Sequence, residues 1–157
     1  MLELKDFEAA YNKVQEVVLP TKLIKSDYFS DQTGNDVYLK PENMQLTGAY
    51  KIRGAYYKIS TLSEEEKAKG LITASAGNHA QGVALAAARQ GVKATIVMPT
   101  TTPLLKVNRT KDLGAEVILH GDVYDEACAH ALDLAAEHGY TSVSYTHLRA
   151  HETCADL

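Results

Sequence analysis

The segment LITASAGNHAQG, residues 71–82, decides both the fold and the chemistry open to this chain. Its β-branched start is typical of a buried strand, and the alanine-rich continuation predicts a helix. Gly77 permits a tight turn between them and exposes successive main-chain N–H groups, which can hold an anion at a helix N-terminus. An ordinary turn capped by Ser75 or Asn78 explains the loop alone equally well. A dinucleotide loop fits less well, because Gly77 and Gly82 do not form Gly-x-Gly-x-x-Gly.

A second segment, TGAYKIRGA at residues 47–55, places Lys51 at the start of a predicted helix among small residues. A lysine amine attacks a carbonyl only when it is neutral, and its ordinary pKa of about 10.4 leaves little of that form at pH 7. The positive end of the helix dipole, with Arg53 nearby, would favour the neutral amine. A solvated surface lysine is the alternative, although the small neighbours favour a site that a flat ring can approach.

The rest of the chain predicts an α/β fold with a parallel sheet and strand-helix alternation. Strands are expected at residues 71–75, 94–98, 116–120 and 140–143, with helices at 78–90, 103–113 and 122–138 between them. An amphipathic helix over residues 4–18 opens the chain, and a polar turn at 30–35 precedes a strand at 37–40. A capping box, Ser63 with Glu66, begins a short helix that Gly70 ends.

Composition excludes several classes of function. The 157 residues are 45% hydrophobic and 23% charged, with a net charge of −4, and the bases form no stripe typical of nucleic-acid binding. No run is long enough to cross a membrane and no leader is evident, so a cytoplasmic enzyme is expected. Two cysteines give neither a disulfide framework nor a metal site, and Cys128 is interpreted as a small buried side chain. His147 and His151 lack supporting ligands, so no metal is predicted there.

The motifs AYKIRGA (residues 49–55) and TASAGNHAQG (residues 73–82) resemble the pyridoxal-phosphate threonine/serine dehydratases of fold type II. The similarity runs from about residue 5 to residue 141. It implies the small domain of that fold, with pyridoxal 5'-phosphate as cofactor. Lys51 would form the internal aldimine and later take the substrate Cα proton, and Asn78 would bond the pyridine 3′-oxygen. The other implied contacts are Tyr50 to the cofactor and Ser75, Gly77, Asn78 and His79 to the substrate carboxylate.

The reaction implied by the resemblance is deamination of threonine, and of serine as a second substrate, to a 2-oxo acid and ammonia. Serine racemases resemble the chain as well, but they carry a serine where this chain has Ala76, which has no proton to give. Dehydration is therefore favoured over racemisation. Two further alternatives stay open, an inactive module that binds amino-acid carboxylates or other anions, and a Rossmann-like nucleotide binder.

The resemblance also predicts how the chain is organised. Residues 1–47 would be an arm of a large domain, residues 48–143 the small α/β domain, and residues 144–157 a non-native tail. Dehydratases of this type hold the cofactor phosphate in a later glycine cluster, and this chain has no run of consecutive glycines. The chain by itself is therefore expected to be inactive or nearly so. A homo-oligomer is compatible with the apolar surface that such a fragment would expose, and a biosynthetic role in isoleucine formation and a catabolic role both stay open.

Overall fold

The computed structural model describes residues 3–143 as helices around a small parallel sheet. The α-helices are α1 (Leu4–Val14), α2 (Asp27–Thr33), α3 (Lys51–Ser60), α4 (Glu64–Ala68), α5 (Asn78–Arg89), α6 (Leu104–Asp112) and α7 (Tyr124–His138). The strands are β1 (Ile24–Lys25), β2 (Tyr38–Leu39), β3 (Leu71–Ala74), β4 (Ala94–Met98), β5 (Glu116–Leu119) and β6 (Thr141–Ser142), and a 3₁₀ helix spans Glu42–Met44. Within this part of the chain, no helix has the length and apolarity that crossing a bilayer requires.

The main sheet has the strand order β5-β4-β3-β6, with every neighbouring pair parallel. Alternate side chains of β3 and β4 enter two different apolar clusters. Leu71 and Ile96 pack with α3, α5 and α6 on one face, whereas Ile72 and Val97 pack with α7 on the other. The predicted α/β fold with strand-helix alternation is confirmed, because helices cover both faces of a parallel sheet.

The strand order reverses beside β3. The chain steps from β3 to β4 and β5 in one direction, then passes through α7 and returns to pair β6 with the opposite edge of β3. In open α/β sheets ligands bind beyond the carboxyl ends of the strands at such a reversal. The loop at residues 75–77 follows β3 at this point, so the topology places this loop where such ligands bind.

Helices α3 and α5 cross in unusually close contact at Gly82. A Cβ atom built there would lie 3.1 Å from the carbonyl carbon of Lys51, and 3.2 Å from the Ile52 nitrogen and from the Lys51 oxygen. Main-chain atoms cannot yield as a flexible side chain can. The absence of a side chain at Gly82 is therefore what lets α5 approach the first turn of α3.

The first part of the chain differs from the prediction in two places. The prediction of a polar turn at residues 30–35 is wrong, because α2 covers most of that range. Ser26 accepts a hydrogen bond from the Phe29 amide at the start of that helix, and Gly34 ends it with a φ of 68°. The first helix also ends at Val14, four residues before the predicted end, although Val17 still reaches the core. The predicted capping box of Ser63 with Glu66 is confirmed.

Polar contacts hold the arm, residues 3–47, together and tie it to the rest of the fold. Buried Gln45 donates to the Leu19 carbonyl at 2.7 Å and accepts from the Leu19 amide at 3.0 Å, as a paired strand would. The Tyr56 hydroxyl donates to Glu16 at 2.8 Å. Many large apolar side chains of the arm are nevertheless exposed: Leu4, Phe7, Tyr11, Leu23, Ile24, Tyr28, Phe29, Tyr38 and Leu39.

Substituting Gly82→Ala tests the close helix contact. Alanine is favoured over glycine within a helix by about 1 kcal/mol, but overpacking against a main chain costs about 1–3 kcal/mol. We expect the free energy of unfolding, measured with urea, to fall by about 1 kcal/mol. Ala88→Gly on the exposed end of α5 measures the intrinsic difference between the two residues in this helix. A gain in stability from Gly82→Ala equal to that difference would show that the contact constrains nothing.

Candidate active site

Lys51 is the first residue of α3 and is buried, with only 6% of its surface exposed. Its Nζ atom lies 5.7 Å from the centre of the Tyr50 ring. Burial removes water from the amine, and the helix N-terminus adds positive potential beside it. The alternative of a solvated surface lysine is therefore wrong, because the side chain is buried at the start of a helix.

The loop between β3 and α5 is organised by the Ser75 side chain. Its Oγ accepts hydrogen bonds from the amides of Gly77 at 3.3 Å and Ala80 at 3.2 Å. Ser75 therefore caps α5 in the way that the alternative interpretation of the loop proposed. Capping and anion binding are compatible, because the hydroxyl proton of Ser75 can still be donated and helix geometry gives the first-turn amides no acceptor within the helix.

The space outside this loop is open. A Cβ atom at Gly77 would meet nothing within 4 Å, and Asn78, the first residue of α5, is exposed. Both the main chain at Gly77 and the side chain of Asn78 are thus accessible to a ligand. Gly48, three residues before Lys51, has a φ of 71°, a conformation that favours glycine at the turn into α3.

His79 is placed differently from the other loop residues. Its ring is buried, at 4% exposed, and Nε2 lies 3.2 Å from the Val143 carbonyl oxygen just beyond β6. The imidazole therefore ties the start of α5 to the far side of the strand reversal. A contribution of His79 to an anion site is then expected from its main-chain N–H group.

The contact at Gly82 brings the lysine and the asparagine loop together. Gly82 lies four residues after Asn78, so the two share one face of α5 a single turn apart. Because Gly82 touches the main chain of Lys51, the start of α3 lies beside the first turn of α5. The main chain of Lys51 therefore lies about one turn of α5 away from Asn78.

Two residues outside the two motifs, Thr21 and Glu42, form an ionic network with Arg53 at the start of α3. Arg53 donates to both carboxylate oxygens of Glu42, from Nε at 2.8 Å and from an Nη at 2.9 Å, and Thr21 donates to the same carboxylate at 2.5 Å. These bonds hold the pKa of Glu42 at about 2, with the Arg53 bonds as the main cause. Glu42 offsets the charge of Arg53, so the expected positive potential from Arg53 at Lys51 is reduced. No local motif links residues this far apart, so the sequence did not reveal the network.

The residues present fit a cofactor that carries an aldehyde. A buried amine provides the point of attachment, and the open loop at Gly77 and Asn78 provides polar groups beside it. Within residues 3–143, no group of three or more His, Cys, Asp or Glu side chains could hold a metal ion. The pair His147 and His151 lies outside the described residues.

The sequence profile of a family described as pyridoxal-phosphate dependent enzyme matches residues 14–154. The chain belongs to this family. It is 52% identical over 139 residues to an L-threonine ammonia-lyase of Thermotoga maritima, an alignment that covers 88% of this chain and 35% of the relative. It is also 52% identical over 144 residues to a catabolic L-threonine dehydratase of Staphylococcus aureus, with 91% of this chain and 42% of the relative covered.

Solved structures agree with this assignment. The processed form of threonine deaminase isoform 2 from Solanum lycopersicum superimposes with a TM-score of 0.80 at 41% identity, covering 90% of this chain and 40% of that one. Maize serine racemase gives a TM-score of 0.83 at 31% identity, covering 90% of this chain and 43% of that one. The predicted family, the fold type II architecture and the pyridoxal phosphate cofactor class are confirmed. The chain spans 35% to 42% of the length of the two curated relatives.

The low pKa of Glu42 makes a prediction about stability. A carboxyl whose folded pKa of about 2 lies below its usual 4.5 stabilises the fold above pH 4.5, and that contribution is lost as the pH falls from 4.5 towards 2. Glu42→Gln is therefore expected to lower the free energy of unfolding by on the order of 3 kcal/mol at pH 7, and by progressively less below pH 4.5. Urea titrations at several pH values measure this.

The matched control for that experiment is Glu64→Gln. It removes an exposed ion pair with Lys67 on α4, where the Glu64 side chain is 91% exposed. Such pairs contribute about 0.2–1 kcal/mol at most. A Glu42→Gln effect that stayed constant from pH 7 to pH 2 would contradict the assignment of the stabilising charge to this carboxylate.

Proposed function

We propose that this chain is part of an L-threonine ammonia-lyase, which converts threonine to 2-oxobutanoate and ammonia and accepts serine as a second substrate. The observation that carries the proposal is the burial of Lys51 at the start of α3, against α5 and one helical turn from Asn78. The 52% identity to a threonine ammonia-lyase supports the choice of substrate.

Each residue of the site has a chemical task in this proposal. Pyridoxal phosphate, when bound, supplies a ring that withdraws electrons from the substrate Cα. Lys51 would hold the cofactor through Nζ and afterwards remove the Cα proton, and its buried position keeps bulk water away from that atom. Asn78 and Tyr50 would contact the cofactor. The loop amides, with Ser75, orient the substrate carboxylate at the N-terminus of α5.

The overall reaction balances without an oxidant. Threonine loses its Cα proton and its β-hydroxyl, which departs as water, and the resulting carbon–nitrogen unit consumes one water as ammonia is released. Water must therefore stay away from Lys51 during proton transfer and enter only later. A buried amine beside an open loop suits that order of events.

A serine racemase-like enzyme is the second candidate, supported by the superposition on maize serine racemase. Racemisation requires a proton donor on each face of Cα. At the position where serine racemases carry a serine, this chain has Ala76. The loop therefore provides no second proton donor there. A module that binds amino-acid carboxylates without catalysis is a third candidate, and it would not need Lys51.

We also propose that residues 48–143 form the small domain and residues 1–47 an arm that packs on a further domain. The many large apolar side chains that the arm exposes support this, because such side chains are normally buried. The curated relatives are more than twice as long as the matched region, which gives length enough for such a domain. The proposed tail, residues 144–157, lies outside the described residues.

The role of Lys51 can be tested by chemical trapping. We expect pyridoxal phosphate followed by borohydride to label Lys51 in preference to other lysines, because a desolvated amine reacts in its neutral form. Peptide mapping by mass spectrometry locates the label. Lys51→Ala should remove it, whereas Lys69→Ala on the exposed end of α4 should leave it unchanged. Equal labelling of all lysines in the parent chain would contradict the proposal, and retained threonine binding in Lys51→Ala would favour a simple binding module.

The loop can be tested with Gly77→Ala. The new methyl group would enter open space, so we expect the free energy of unfolding to change by less than about 1 kcal/mol. It would cover the amides that hold the carboxylate, so the dissociation constant of threonine, followed by NMR shifts of residues 75–80, should rise about tenfold. Ser75→Ala provides the contrast, because loss of a helix cap should lower stability by about 1 kcal/mol. An unchanged threonine affinity in Gly77→Ala would exclude the loop as the carboxylate site.

A further inference from the structure

The network of Thr21, Glu42 and Arg53 joins the arm to the helix that carries Lys51. Arg53 extends from the first turn of α3 and makes two parallel hydrogen bonds to Glu42 at 2.8 and 2.9 Å. Glu42 begins the 3₁₀ helix, and Thr21, from a segment 21 residues earlier, donates to the same carboxylate. A planar guanidinium that forks onto a carboxylate fixes direction as well as distance, which a single ammonium contact does not.

The network acts on the first turn of α3. Its N-cap residue, Tyr50, makes no side-chain cap hydrogen bond to the helix, and the nearby Thr47 hydroxyl donates to the Ala49 carbonyl rather than accepting from a helix amide. The close contact with Gly82 of α5 also restricts the position of this first turn. The first turn of α3 is therefore held between a helix contact and an ion pair, with Lys51 and Arg53 on it.

We propose that Glu42 and Arg53 are positioning residues that hold Lys51 opposite the asparagine loop, and that Thr21 orients Glu42 for this task. The inference rests on the proposed role of Lys51. The side chains of both partners are mostly buried, at 27% exposed for Arg53 and 15% for Glu42, so the pair is shielded from competition by water. The depressed pKa of Glu42 agrees with a carboxylate that stays ionised in the folded chain.

The experiment measures the rate at which pyridoxal phosphate and borohydride label Lys51, with the labelling of Lys69 in the same sample as the reference. The label itself is the readout, so no catalytic turnover is needed. We expect Glu42→Gln and Arg53→Gln to lower the relative rate at Lys51 by about tenfold, since misplacement of a reacting group by a fraction of an ångström has effects of that order. Arg53→Lys keeps the charge without the fork and should be intermediate.

Two further variants separate positioning from general loss of stability. Tyr56→Phe removes the hydrogen bond from α3 to Glu16, another link to the arm, but it lies more than a turn from Lys51 and should leave the relative rate unchanged. Thr21→Val removes the hydrogen bond to Glu42 and a longer one, at 3.5 Å, from Arg53 to the Thr21 hydroxyl. It keeps both charges, so it should fold and lower the rate about twofold to fivefold. Circular dichroism and urea titration show whether Glu42→Gln and Arg53→Gln fold. If either variant fails to fold, Thr21→Val provides the test of positioning in its place.

The outcomes distinguish this inference from the proposed function. No preference for Lys51 in the parent chain would overturn both. Preferential labelling of Lys51 in the parent with unchanged rates in the folded variants of Thr21, Glu42 and Arg53 would overturn the positioning role alone. A loss in Tyr56→Phe as large as in Thr21→Val would also overturn it, because the effect would then follow the stability of α3 as a whole.

Discussion

The contact between Gly82 and the main chain of Lys51 is the constraint on which the site depends. The two motifs that define this chain lie on different helices, and neither places a group near the other by sequence alone. A side chain at residue 82 would separate α3 from α5 at the point where Lys51 begins its helix. The missing side chain at Gly82 is therefore what lets the helix of Lys51 lie beside the helix that begins at Asn78. Packing between helices is rigid enough for such a contact to set the position of the amine.

The sheet is the second feature that determines where the site lies. Because β3 lies at the reversal of strand order, the loop that leaves it is placed where open α/β sheets bind their ligands. His79 links that loop to the end of β6, so the two sides of the reversal are joined by a buried ring. The same loop is capped by Ser75, which stabilises the start of α5 while leaving the outer side of Gly77 open. Ser75 thus stabilises the turn, while the open space at Gly77 gives a ligand access to it.

Sequence patterns predicted the elements best where local signals agree. The strands at 71–75 and 94–98, the helix that follows Gly77 and the capping box at Ser63 each combine a periodic apolar pattern with a turn residue. Helix α2 was missed because its apolar pattern is weak, although Ser26 and Gly34 are ordinary end signals. The burial of Lys51 and the pairing of Glu42 with Arg53 involve residues brought together by the whole fold. No window of sequence contains that information, and the roles of Ser75, Gly77, Asn78 and His79 toward ligands stay predictions.

Shape alone does not separate the reactions that this fold supports. The chain superimposes on a serine racemase with a TM-score of 0.83 and on a threonine deaminase with 0.80, yet its identity is higher to the deaminase, at 41% against 31%. A scaffold common to both must leave the choice of reaction to a few side chains. Both reactions begin with removal of the Cα proton, so a buried lysine serves either. They diverge at the next proton, which racemisation returns to the opposite face and elimination does not. The methyl group of Ala76 carries no proton that could be returned, which is why we propose elimination rather than racemisation for this chain.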